Sequence, residues 1–244
     1  MTTAVSSKQR IDQQPAFILH SYPWRETSLI VEAFSRDHGR VALVAKGARR
    51  PLSALRGVLM AFQPLLLDWS GGGEVKTLIR AEWQGGQPLL TGRPLLCGYY
   101  LNELLVRLLA REDPHPELYR AYAGALAALA RGLPIAPLLR RFELAMLREL
   151  GYGVGLEVDA ESGEAVDPAG RYVYIIEKGP VAAPVRPGDL PLLSGRSLLD
   201  MAADTFERPE TLTQSRNLLR VLINHYLHGH ELQSRRVLKE LQEL

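Results

Sequence analysis

One cysteine, Cys97, in 244 residues rules out an intramolecular disulfide and any zinc site built on four cysteines. Its surroundings are apolar and helical in pattern, so it reads as a small buried hydrophobe. Long apolar runs are also missing, and no window approaches the roughly 20 apolar residues of a membrane span. The opening MTTAVSSKQRIDQQ has no apolar centre of the kind a secretory signal carries. The expectation is a soluble, cytoplasmic protein. Catalytic signatures are equally scarce. There is no G-x-S-x-G elbow and no H-E-x-x-H pair. GGGEVKT (71–77) resembles the end of a phosphate loop, but Val75 stands where the glycine before the lysine belongs. The next residues, LIRAEW, read as a strand, so this is a hairpin turn. His225, His228, His230 and Glu231 are dense enough to suggest a metal, yet Gly229 should end the helix before His230. A solvated helix end is the better account. No residue argues for an enzyme, and no cofactor or metal is expected.

What is present is a core and an uneven charge. At 46% hydrophobic content the chain can bury a sizeable interior. Its net charge of +2 hides an asymmetry: residues 1–83 hold eleven Lys/Arg against seven Asp/Glu, and the remainder eighteen against twenty. From Arg40 to Leu67 there are five cations and no acid. A basic patch confined to one part of a chain points to a polyanion, with a merely solvated surface as the bland alternative.

Residues 1–14 are polar and are expected to be frayed. Short strand-like runs come next: AFILHSY (16–22), SLIVEAF (28–34), GRVALVA (39–45), PLLLDW (64–69) and VKTLIRAEW (75–83), with one helix-like piece at 53–62. Five strands with a short helix between the third and fourth is the element order of an OB-fold. After Pro94 the period becomes helical, with segments expected at 95–110, 117–132 and 134–153, the last closing on Gly151 as a left-handed cap. An acidic loop (157–170), a strand (171–179) and a Pro-rich stretch (180–191) precede three helices at about 196–204, 209–228 and 234–243. The fold class is therefore mixed α+β: an OB-type barrel domain over 1–83, then a mainly helical domain over 84–244 with a β insertion at about 154–190.

GRVALVAKGARRPLSALRG (39–57) is where charge and fold meet. Lys46, Arg49, Arg50 and Arg56, with Arg40 before them, would line the exit loop of the third strand. OB-folds grip single strands with such cations and with stacked aromatics. Tyr22, Trp24 and Phe62 are the candidate aromatics, Phe62 serving equally well in a core. Sequence-specific readout is not suggested, because no helix-turn-helix or zinc-finger pattern occurs. On 138–150, Leu138, Leu139, Phe142, Ala145, Met146 and Leu150 form an apolar stripe with Arg140, Arg141 and Arg148 beside it. That is an ordinary core helix with solvated flanks, or an apolar groove rimmed by arginine for a short acidic peptide.

Several segments together resemble the RecO family of recombination mediators: FILHSYPWRETSLIVEAFSRDHGRVALVAKGAR, GEVKTL, GYYLNELLVRLL and LLRRFELAMLRELGYG, with a weaker echo in TLTQSRNLLRVLINHYLHGHELQSRRVL (211–238). The resemblance implies an OB-fold followed by a helical domain, in a non-enzymatic, nucleoid-associated repair factor. It implies binding of single- and double-stranded DNA, annealing without ATP, and action with RecR to load RecA onto strands coated by single-stranded-DNA-binding protein. That protein's acidic, Phe-terminated tail would be held by Arg140, Arg141 and Arg216. The DNA-contacting set would be Lys46, Arg49, Arg50, Arg56, Arg40 and Trp24. Two departures stand out. Many family members carry a four-Cys zinc site after the GYG segment, whereas LEVDAESGEAVDPAG has no cysteine, so the insertion must hold itself by packing. A common Lys-Ser-Arg reads Gln233-Ser234-Arg235 here. The competing readings are a general OB-type nucleic-acid module, RNA included, whose helices only pack or dimerise, and, more remotely, an enzyme.

Overall fold

The computed structural model describes residues 10–184 and 190–242. The first nine residues of the expected frayed start, and residues 185–189 of the Pro-rich stretch, lie outside the described residues. Two compact units emerge. One is built from the chain up to Arg131 together with the chain from Leu232 onward, the other from Gly132–Glu231.

The first unit opens with β1 (Arg10–Trp24), β2 (Ser28–Ser35), β3 (Gly39–Ala45), the single turn α1 (Leu55–Val58), β4 (Leu65–Ser70) and β5 (Val75–Trp83). They close into a barrel in the order β1-β2-β3-β5-β4, with β3 and β5 parallel and the other pairs antiparallel. This is the OB-like architecture the element order predicts. Alternation sends Val31 and Ala33, Val41, Leu43 and Ala45, and Leu65, Leu67 and Trp69 into one core. Residues 10–14 are not frayed. They continue β1 and pair with β4, Arg10 opposite Ser70 and Ile11 opposite Trp69. A barrel closes only if every strand bonds two neighbours, and the polar start of β1 supplies its pairing with β4. Gln13 sits at the irregularity there with φ of 53°, its N–H held by Asp68 Oδ1 at 2.7 Å.

SLIVEAF is apolar on both faces because both faces are covered. Helices α2 (Gly92–Leu108) and α3 (Pro116–Ala130) belong to this unit. Phe17 and Phe34, on the outer side of β1 and β2, meet the rings of Tyr119 and Tyr122 at 5.3–6.1 Å between centroids. Asn102 donates to the carbonyl of Leu19 at 2.7 Å and accepts from the Tyr122 hydroxyl. Burial pushes the Tyr119 phenol up to about 12 and raises the Tyr122 phenol well above its ordinary value.

In the second unit α4 (Ile135–Glu149) ends as expected. Gly151 has φ of 76°, its N–H reaches the Arg148 carbonyl, and the Tyr152 N–H reaches Leu147. Those two bonds are the Schellman closure. The insertion is a three-stranded sheet, order β7-β6-β8, of β6 (Arg171–Ile175), β7 (Gly179–Ala182) and β8 (Leu192–Ser194). Then come α5 (Gly195–Ala202) and α6 (Pro209–Tyr226), and α4 and α5 both pack on α6. Finally α7 (Gln233–Gln242) returns to the first unit against α2. There the Glu103 carboxylate accepts the N–H groups of Gln233 and Ser234 at 2.8 and 2.9 Å, filling a helix N-terminus. No helix of the described residues is long and apolar enough to cross a membrane.

Where the insertion lacks cysteines it has Asp159. This buried carboxylate accepts three backbone N–H groups, from Glu161 and Ser162 on one oxygen and Ala182 on the other, at 2.8–3.0 Å. The bonds from Ser162 and Glu161 hold its pKa below the ordinary 3.8. A lowered carboxylate contributes stability that is present above 3.8 and is lost as pH falls through the lower, folded value. Amide exchange at Glu161, Ser162 and Ala182 is therefore expected to accelerate, relative to reference amides, as pH falls below 3.8. In Asp159→Asn these amides should exchange fast throughout, with no acid step.

Candidate nucleic-acid interface

Covering the outer face of β1 and β2 has a consequence for ligands. OB-folds commonly bind polymers on their strand faces and neighbouring loops. Here Phe17, Leu19, Ile30, Glu32 and Phe34 are buried on that face, which closes much of the β1–β2 part of it, whereas the loops at one end of the barrel are open. The segment after β3 is a chain of tight turns. Backbone bonds run Ala48 to Ala45, Arg50 to Gly47, Ser53 to Arg50 and Arg56 to Ser53, at 3.0–3.4 Å. Gly47, with φ of 68°, permits the first reversal. The Arg49 N–H reaches the Thr27 carbonyl at 2.8 Å, tying this loop to the β1–β2 turn. The loop is thus held in shape before any ligand arrives.

Lys46, Arg49, Arg50 and Arg56 are all exposed on it. The barrel's ion pairs use other cations: Arg10, Arg36, Arg40, Lys76, Arg80 and Arg111. These four cations therefore face water without an ion pair among the described residues, and Arg49 and Arg56 border one cavity. The Arg49 guanidinium lies 3.3–3.4 Å from the carbonyls of Glu26 and Arg25, which steadies it across the turn.

Arg40 is a different case. Its guanidinium meets the Glu32 carboxylate at 2.8 Å and the Leu109 carbonyl at 3.0–3.2 Å, and its side chain is 14% exposed. It faces the covered side of the sheet, so it serves the fold and not the loop's field. Trp24 is 42% exposed at the end of β1, with the Arg25 guanidinium 5.9 Å from its ring centroid. Tyr22 and His20 precede it at period two, all three exposed, opposite Ser28, Ile30 and Glu32. His20 escaped the sequence reading, although the alternation from Tyr22 was there to be followed. Phe62 is buried against Tyr99, with centroids 5.0 Å apart.

On the second unit the three candidate arginines are not equivalent. Arg140 is 8% exposed and pairs with buried Glu143 at 2.6 Å, while its Nε has no hydrogen-bond partner among the described residues. Arg141 is exposed but pairs with Asp204 at 3.0 Å and lies over the Phe206 ring. Arg216 is exposed on α6, which packs on α4. The apolar stripe of α4 is largely core: Leu138, Phe142 and Met146 are buried. Around His225 the helix stops earlier than Gly229 suggests, at Tyr226, and His228 already has φ of 51°. No three metal-ligating side chains gather among the described residues.

Comparison with known proteins decides what this barrel and its helices are. The family description Recombination protein O N terminal matches residues 10–86, and Recombination protein O C terminal matches residues 90–236. The chain belongs to the RecO family. It is 73% identical to DNA repair protein RecO of Aromatoleum aromaticum over 240 residues, 98% of this chain and all of that protein. It is 70% identical to the Azoarcus sp. protein of the same name, over 97% of this chain and 99% of that one, and 55% identical to that of Ralstonia nicotianae over 99% and 89%.

As a RecO-family DNA repair protein, the chain shows where its sequence divides and where its packing does. The two family matches meet between residues 86 and 90, close to the expected change from strands to helices. The compact units instead divide at Arg131, because α2 and α3 share the outer core of β1 and β2. The altered Gln233-Ser234-Arg235 also has a place. Ser234 donates its hydroxyl to Glu103 at 2.6 Å, and Arg235 reaches the Tyr100 hydroxyl at 3.1 Å.

Proposed function

We propose that this protein is a recombination mediator that binds single- and double-stranded DNA through Lys46, Arg49, Arg50 and Arg56, with Trp24 stacking beside them. The observation that carries this reading is the preshaped cationic loop at an open end of the barrel. Such a surface neutralises phosphates and releases counterions without touching base edges. Two strands that repel each other can then approach with their pairing edges free, which is annealing without ATP. With RecR, and by engaging single-stranded-DNA-binding protein, the same protein would promote loading of RecA.

For the acidic, Phe-terminated tail of that protein the reading uses α4 and α6. Arg216 offers an exposed cation, and the Nε of Arg140 is a buried donor that a carboxylate would satisfy. Burial of the α4 stripe, and the acids beside Arg140 and Arg141, favour a second reading in which the helices only pack and the protein is a general OB-type nucleic-acid module. Fluorescence anisotropy of a labelled tail peptide separates the two. Saturable micromolar binding is expected, weakened about tenfold in Arg216→Ala, as for loss of one charge-assisted contact. DNA affinity should change less than about twofold. Arg140→Ala also removes the cation beside Glu143 inside the core, so it is compared with Arg140→Ala/Glu143→Ala. No peptide binding by the wild type, with DNA binding intact, would select the second reading.

A further inference from the structure

Beneath the basic loop lies a cavity of about 340 Å3 lined by Leu29, Ala48, Leu55 and Leu59, with Arg49 and Arg56 at its sides. Leu29, Leu55 and Leu59 pack against the barrel core, so the floor is the end of that core left open to solvent. No carboxylate is among its lining residues; Glu26 stands in the adjoining turn, its carbonyl 3.3 Å from the Arg49 guanidinium. Aliphatic walls suit a flat, apolar-faced group, and the flanking guanidiniums suit an anion on either side of that group. A nucleotide within a strand has both properties at once: a base with two faces to desolvate, and a phosphate before and after it. An apolar peptide side chain would fill the floor but leave both arginines unanswered.

Resting on the DNA-binding reading above, we propose that this cavity is a slot for one unstacked, unpaired base of a single strand, with Arg49 and Arg56 on its two neighbouring phosphates. A paired and stacked base cannot enter, so the slot favours single over double strands on a surface whose other contacts are blind to that difference. Trp24 and Tyr22, across the β1–β2 turn from the loop, continue the path by stacking. The slot withholds one base per bound protein and leaves the rest free to pair.

The test uses a dT 12-mer carrying 2-aminopurine, whose emission is quenched by stacking and rises when aliphatic groups enclose it unstacked. Binding to the unmodified protein should brighten the probe at one or more positions. Leu59→Trp, which fills the slot, should abolish the rise and weaken single-strand affinity between about 5-fold and about 150-fold, the range for one lost base contact. Duplex affinity should stay within about twofold, and the dependence of affinity on salt should keep its slope, since no phosphate contact is removed. Leu55→Trp should repeat the result if Leu59→Trp does not fold. If the probe only dims, or a folded slot-filling variant binds single strands like the wild type, the slot is wrong while DNA binding stands. If the wild type binds neither form of DNA, the slot falls together with the proposed function.

Discussion

Reversing Arg49 and Arg50 to glutamate is expected to weaken both single- and double-strand binding by about a hundredfold at moderate salt, and annealing with it. Two phosphate contacts disappear and two repulsive charges take their place. The plot of log affinity against log salt should flatten by about 2 for a duplex, slightly less for a single strand. Filter binding or anisotropy from about 50 to about 300 mM salt measures both quantities. The loop's own backbone bonds do not involve these guanidiniums, so circular dichroism should show an intact fold. Unchanged affinity in the folded variant would remove this loop from the interface.

The second large effect is on the fold. Glu32, 4% exposed, holds Arg40 on one carboxylate oxygen and Arg111 on the other. Arg40 also binds the Leu109 carbonyl, the Glu112 N–H binds the Arg40 carbonyl at 2.9 Å, and Lys76 meets Glu112 at 2.5 Å. Gly39 completes this junction. With φ of 63°, it passes so near residue 113 that a Cβ would lie 2.0 Å from the Asp113 carbonyl oxygen. The segment after α2 is thereby stitched to the β2–β3 hairpin. Glu32→Ala leaves Arg40, 14% exposed, without its carboxylate beside an Arg111 that is 36% exposed, and should cost about 3 kcal/mol, the low end for breaking a buried pair because Arg111 keeps its water. In thermal melts that is a fall of about 10 °C for a chain of this size. Replacing the whole triad, as Glu32→Leu/Arg40→Met/Arg111→Met, should recover most of the loss, because well-packed apolar groups need no partner. Protein that remains folded should bind DNA with little change, since Arg40 faces away from the loop's field. A Glu32→Ala melt equal to wild type would contradict the triad's role.

Glu32 and Arg40 also show where local sequence stops being informative. Arg40 belongs to the run of five cations from which the interface is read, and nothing in that run separates it from Arg49. Its role is set by Glu32, eight residues earlier, and by Leu109 and Arg111, some seventy residues later. Arg140 is alike: its neighbour Glu143 is visible in LLRRFEL, but only packing on α6 makes the pair a buried one. Asp159 sits in a loop read as acidic and therefore solvated, yet it folds inward to collect three amide protons. In each case partners distant along the chain decide the outcome.

Everything governed by short-range patterning and turn chemistry was legible in the residues alone. Short apolar runs punctuated by turn residues over 16–45 and 64–83 specified the five strands, helical spacing after Pro94 specified the helices, and Gly151 marked a cap that formed as expected. Run length, helical spacing and left-handed glycine are local properties, so no tertiary information was needed. The exposed quartet Lys46, Arg49, Arg50 and Arg56 was legible for the same reason: a polar, Gly- and Pro-punctuated link between two strands has nowhere to go but the surface. Long-range contacts were needed to show that residues 10–14 close the barrel, that α2 and α3 pack on the outer side of β1 and β2, and that an apolar cavity opens beneath the basic loop. Those outcomes depend on which surfaces meet after the chain has collapsed. Burial is a property of pairs of elements, and a strand read alone carries no record of its partner.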